Sequence, residues 1–89
     1  MCLLTLTILN EKGLHARASA KLVELVERFD ADAKICKDGL SASGDSIMGL
    51  LMLAASLGTT IEVQTTGVDA AALGEAITKL VENNFGEEC

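Results

Sequence analysis

Few side chains in this sequence can do chemistry, and the best of them lie close together. There is one histidine, His15, followed two residues on by Arg17 within Gly13-Leu14-His15-Ala16-Arg17-Ala18-Ser19. From Ala16 onward apolar residues recur at helical spacing, so His15 stands at the N-cap or in the first turn of a helix. Gly13 lets the chain turn sharply just before it. Free backbone N–H groups at a helix start point outward and favour anions. They disfavour a protonated imidazole and leave the neutral, nucleophilic ring. A phosphoryl group on that ring would carry about two negative charges. The helix start, at Ala16, Arg17 and Ala18, and the Arg17 guanidinium are placed to stabilise them. The same position also suits a surface or capping histidine, with Arg17 a solvated charge. Spacing alone leaves both readings open.

Other chemistries are poorly supplied. One histidine without clustered carboxylates offers few metal ligands, and no metal or cofactor is expected. There is no nucleophile elbow, no Gly-rich dinucleotide loop and no Walker-type phosphate loop. Cys2, Cys36 and Cys89 lack metal-ligand spacing and read as free thiols of a reducing compartment. The net charge is −6, and Trp and Tyr are absent, which argues against nucleic-acid binding. Residues 1–37 hold six of the seven basic residues and five acids, a net of +1, so an anion or acidic partner is best tolerated in the half containing His15. No signal peptide is visible, and the longest nearly apolar run, Ile47 to Leu57, is too short to span a bilayer. The expectation is a soluble cytoplasmic protein without membrane insertion.

The elements that must position His15 can be read in order. Cys2 to Leu9 reads as a strand, with Leu4, Leu6 and Ile8 on one face. A helix follows from Ala16 to about Arg28, with Ser19, Leu22, Val23, Val26 and Phe29 inward and Lys21, Glu24, Glu27 and Arg28 mostly on the outer face. Asp38-Gly39 joins strands Ala33–Lys37 and Leu40–Ser43 as a hairpin. A short apolar helix runs from Ser46 to about Ala54, capped by Asp45 or Ser46. Thr60 to Thr66 is a strand, and Asp69 caps a last helix from Ala70 to about Asn84, before the ending Glu87-Glu88-Cys89. The order is β-α-β-β-α-β-α in one domain, residues 1–89. The expected class is α+β: an open-faced sandwich of a four-stranded antiparallel sheet with three helices on one face. Eighty-nine residues leave little room for a substrate pocket, so a self-sufficient enzyme is not expected.

Two segments carry a family resemblance. Gly13 to Ser19 resembles the active-site motif of the HPr phosphocarriers of the bacterial phosphotransferase system, and Ser46-Ile47-Met48-Gly49-Leu50-Leu51-Met52-Leu53 is similar to that family's second signature. Both motifs and the element order match over nearly the whole chain. The resemblance implies that His15 accepts phosphate on Nδ1 from phosphorylated Enzyme I and donates it to an Enzyme IIA-type protein. It implies that Arg17 helps hold the phosphoryl group. Ser46 matches a serine phosphorylated by a separate HPr kinase/phosphorylase, and Ile47, Met48 and Leu51 match an exposed patch on which partners dock.

Two positions depart from the family pattern. Asp45 stands where basic residues are common, placing a like charge beside any phosphate on Ser46; a serine opening a helix is also an ordinary N-cap. Ala18 replaces the proline of many relatives and keeps the helix without presetting φ. The segment Met52-Leu53-Ala54-Ala55 and the ending Phe85-Gly86-Glu87-Glu88 look like proteobacterial members, in which sugar-transport and nitrogen-related branches both occur, with a lean toward the nitrogen-related or general regulatory one. A shuttle meeting two partners through one face is expected to be a monomer. A different class of function also fits: a phosphate-independent interaction module docking through Ile47–Leu51.

Overall fold

The structure is a computed structural model that describes residues 2–86; the ending 87–89, with Cys89, lies outside the described residues. Strands β1 (Cys2–Thr7), β2 (Asp32–Lys37), β3 (Leu40–Ser43) and β4 (Thr60–Thr66) alternate with helices α1 (Ala16–Glu27), α2 (Ile47–Met52) and α3 (Ala70–Glu82). The sheet is fully antiparallel in the order β1-β4-β2-β3, with Leu4 opposite Val63, Ile35 opposite Val63 and Ile35 opposite Ala42. Period-two alternation turns Leu4, Leu6, Ala33, Ile35, Ile61 and Val63 toward the helices. The other face carries Thr5, Lys34, Glu62 and Gln64 and stays open. The expected open-faced sandwich, with all three helices on one face, is therefore what this sequence builds.

The Asp38-Gly39 hairpin forms as read: both residues have positive φ, at 49° and 83°, as a primed turn requires. Several boundaries move inward. β1 ends at Thr7 rather than Leu9, because Ile8 instead bonds the turn after α2, its N–H to Thr59 O at 2.9 Å and its carbonyl to Gly58 N at 2.9 Å. α1 ends at Glu27, with Arg28 as its C-cap. α2 stops at Met52 rather than Ala54, because Ala54 takes a left-handed φ of 52°. α3 stops at Glu82 rather than Asn84, because Asn84 and Phe85 both turn left-handed, which drives the Phe85 ring fully into the core.

Two side chains take different jobs from those expected. Asp69 sits at the N-cap of α3 but makes no capping bond; its Oδ2 accepts the Asp30 N–H at 2.8 Å, tying the α1–β2 turn to the β4–α3 turn. Lys21, expected on the outer face of α1, is half-buried and donates to Phe85 O at 2.7 Å. Cys2 and Cys36 are free thiols. No helix among the described residues is long and apolar enough to cross a membrane.

Candidate functional site

His15 is the N-cap of α1, in extended backbone with φ −77° and ψ −178°. Its carbonyl accepts the Ser19 N–H at 2.9 Å, the first bond of the helix. Its side chain turns back over the helix start, and Nδ1 accepts the Arg17 backbone N–H at 3.3 Å. That contact uses the Nδ1 lone pair, so the proton of the neutral ring lies on Nε2. Nδ1 is thus the ring nitrogen aimed at the anion-favouring helix terminus. The ring is half-buried, while Ala16 and Arg17 beside it are exposed and Ala18 is buried in the core.

The loop before His15 is held rigidly by neighbours. Asn10 Nδ2 donates to Gly13 O at 2.8 Å, and the Leu14 N–H donates to Ala55 O at 2.8 Å. Leu14 is buried, and the buried Ser19 hydroxyl donates to Leu14 O at 3.2 Å. Gly13 has φ +64° and runs so close to the loop after α2 that a Cβ there would stand 2.2 Å from Ala55 O. Glycine is required at this position by contact as well as by conformation. Only the conformational reason is visible in the sequence, since nothing in the spacing brings residue 55 to residue 13.

The second motif lies on the neighbouring helix. Ser46 is the N-cap of α2, its Oγ accepting the Gly49 N–H at 3.1 Å, and Asp45 is engaged by the Ser43 hydroxyl. Ser46 and His15 are not brought together: the loop touching Gly13 and Leu14 follows the far end of α2, and six helical residues span about 9 Å. Ile47 and Met48 are exposed, Met48 at 70%. Leu51, on the same helix, is half-buried beside the fully buried Leu50. Met52, at 76% exposed, lies one helical turn beyond Met48, and Leu57 is 56% exposed; neither was singled out from sequence. An apolar residue on a helix too short to bury all its faces is the signal that could have found Met52. Lys37 was also missed: its Nζ reaches across from the end of β2 to Leu53 O at 3.1 Å and Ala54 O at 3.2 Å.

The fold is an open-faced sandwich that places the one histidine of the sequence at a helix start, with exposed apolar side chains on the neighbouring helix. The match to known proteins makes this specific. Residues 4–83 match the family model described as the PTS HPr component phosphorylation site. The chain is 44% identical to phosphocarrier protein HPr of Cupriavidus necator, covering 91% of each, and 46% identical to phosphocarrier protein NPr of Shewanella violacea, covering 91% and 89%. Its fold superposes on the crystal structure of HPr-C-His from Thermoanaerobacter tengcongensis with a TM-score of 0.94 at 34% identity, each chain covered fully. The chain belongs to the HPr family of bacterial phosphotransferase-system phosphocarriers.

Proposed function

We propose that this protein carries a phosphoryl group on His15 Nδ1, taken from phosphorylated Enzyme I with phosphoenolpyruvate as the ultimate donor, and passes it to an Enzyme IIA-type protein in the cytoplasm. The observation that carries the reading is the Nδ1 lone pair turned onto the Arg17 amide at the start of α1. In transfer the Nδ1–P bond forms as the bond from phosphorus to the donor breaks. The ring proton stays on Nε2, and no proton needs to leave first. The incoming oxygens replace the imidazole as acceptor for the Arg17 amide and also accept from the amides at Ala16 and Ala18, and the exposed Arg17 guanidinium folds over them. Each partner completes the environment of the reacting phosphorus, so the protein acts as a carrier rather than an enzyme.

Incubation with phosphoenolpyruvate and Enzyme I tests this reading. One acid-labile adduct of about 80 Da is expected, absent from His15→Ala. An adduct that persists in His15→Ala, or none in the parent, overturns it. Relatives named HPr and NPr lie at similar identity, so the branch is decided by which IIA protein takes the phosphate faster, and the nitrogen-related one is the reading favoured here. Ser46 caps α2 through its Oγ, and modification of it by a kinase is the secondary part of this proposal. The protein works as a monomer that presents Ile47, Met48 and Leu51 to both partners in turn.

The exposure of Ile47 and Met48 also supports a second reading, a docking module that needs no phosphate. His15→Ala with full partner binding and full cellular activity would favour it over the carrier.

A further inference from the structure

We infer that Lys37 is a positioning residue for the phosphoacceptor histidine, acting through the backbone of the loop after α2; this rests on the carrier reading above. Lys37 lies at the end of β2, 22 residues from His15 in sequence, and its stem is half-buried. Its ammonium donates to the carbonyls of both Leu53 and Ala54. These follow the last turn of α2, where the helix dipole is negative and carbonyls lack helical partners.

A six-residue helix has little stability of its own, so its ends decide whether the following loop is fixed. That loop also holds a residue that resists its conformation: Ala54 has φ +52°, a left-handed value that a Cβ disfavours. The Lys37 bond to Ala54 O, with the Ala54 N–H on Leu51 O at 3.1 Å, holds the residue there. The next carbonyl, Ala55 O, receives the Leu14 N–H and packs against Gly13 at a distance no other residue permits. His15 follows directly. Its Nδ1 contact with Arg17 N therefore depends on a path that runs from the Lys37 ammonium through Ala54 and Ala55 to Leu14. Every link is a hydrogen bond or one peptide unit.

Lys37→Met keeps the apolar stem and removes the cation; Lys37→Arg keeps a donor. Two readouts are needed at a temperature where all variants are folded, as checked by circular dichroism. The first is the nitrogen-15 spectrum of the His15 ring, which reports the share of neutral rings with the proton on Nε2, together with the amide shifts of Leu14 and Arg17. The second is the rate of phosphate acceptance from phosphorylated Enzyme I. Lys37→Met is expected to move the Leu14 and Arg17 amides, to lower the Nε2–H share and to slow acceptance by about three- to tenfold. Lys37→Arg is expected to restore all three. A Lys37→Met protein that melts earlier yet leaves the ring spectrum and the rate unchanged would show Lys37 to be structural only, and would overturn the inference. So would failure of Lys37→Arg to restore the ring spectrum. If the parent protein takes no phosphate, the carrier reading fails, and the ring spectrum still decides the linkage by itself.

Discussion

A methyl group at Gly13 would press on the Ala55 carbonyl in a backbone conformation that already disfavours a side chain. Relief requires the loop at residues 53–56 to retreat, and that loop holds Leu14 and hence the turn that delivers His15 to the helix start. Gly13→Ala is expected to destabilise the fold by about 2–4 kcal/mol, from positive-φ strain plus the clash. Phosphate acceptance should fall further than the loss of folded protein explains. Urea unfolding and a transfer assay on the same preparation check both. Unchanged stability would mean that the loop yields easily and that Gly13 serves only the turn. At this scale the sequence was informative about types and silent about contacts. Gly13, His15, Arg17 and Ser19 were all legible as a helix-start cluster. The Ala55 carbonyl was not, since its partner lies 41 residues away and carries no distinctive side chain.

Among the elements, α2 is the one whose ends matter most. It buries only Leu50 within its span, so little packing holds it, and Ser46 at one end and Lys37 at the other make up the difference. Ser46→Ala removes the acceptor for the Gly49 N–H and is expected to cost about 1 kcal/mol, read as a fall in the urea midpoint at unchanged slope. Ser46→Asp keeps an acceptor at the cap and should hold stability near the parent's. If Ser46→Asp nevertheless weakens Enzyme I binding while Ser46→Ala does not, charge at this position regulates docking rather than folding. The strands were read closely because burial on one face stamps a period of two on the sequence, as at Ile61, Val63 and Thr65. Helix ends were read long because the apolar pattern continues past the last helical residue. Leu53 and Ala55 are buried from outside α2, and Phe85 from outside α3. Asp69 looked like a cap because only local partners are visible in a sequence, whereas its actual partner is Asp30.

Across the whole molecule, two aromatic residues serve a core otherwise built of aliphatic side chains, and Phe85 is the one completely buried. Its place after α3, with its carbonyl held by Lys21 of α1, makes the chain near residue 85 a clasp between the two longest helices. Phe85→Ala is expected to cost about 3–5 kcal/mol, a large share of the stability of so small a fold. A loss under about 1 kcal/mol in urea unfolding would mean that the surrounding core side chains close the cavity.

Charge acts at the same scale and sets how the protein meets its partners. The chain is acidic overall, but the exposed Lys12 and Arg17 flank His15, and six of the seven basic residues lie within residues 1–37. On the carrier reading, a partner surface bearing phosphate would be drawn to this end, and the exposed apolar residues Ile47, Met48 and Met52 would supply contact once it arrived. A relay must also release quickly, which favours steering by exposed charges over tightly buried pairs. Exposed charges are screened over about 10 Å at 0.1 M salt. Affinity for Enzyme I is therefore expected to fall about three- to tenfold between about 50 and 500 mM salt, chiefly through slower association. Stopped-flow binding across that range measures it, with Arg17→Gln expected to flatten the dependence. An association rate indifferent to salt would leave the apolar patch to account for docking alone.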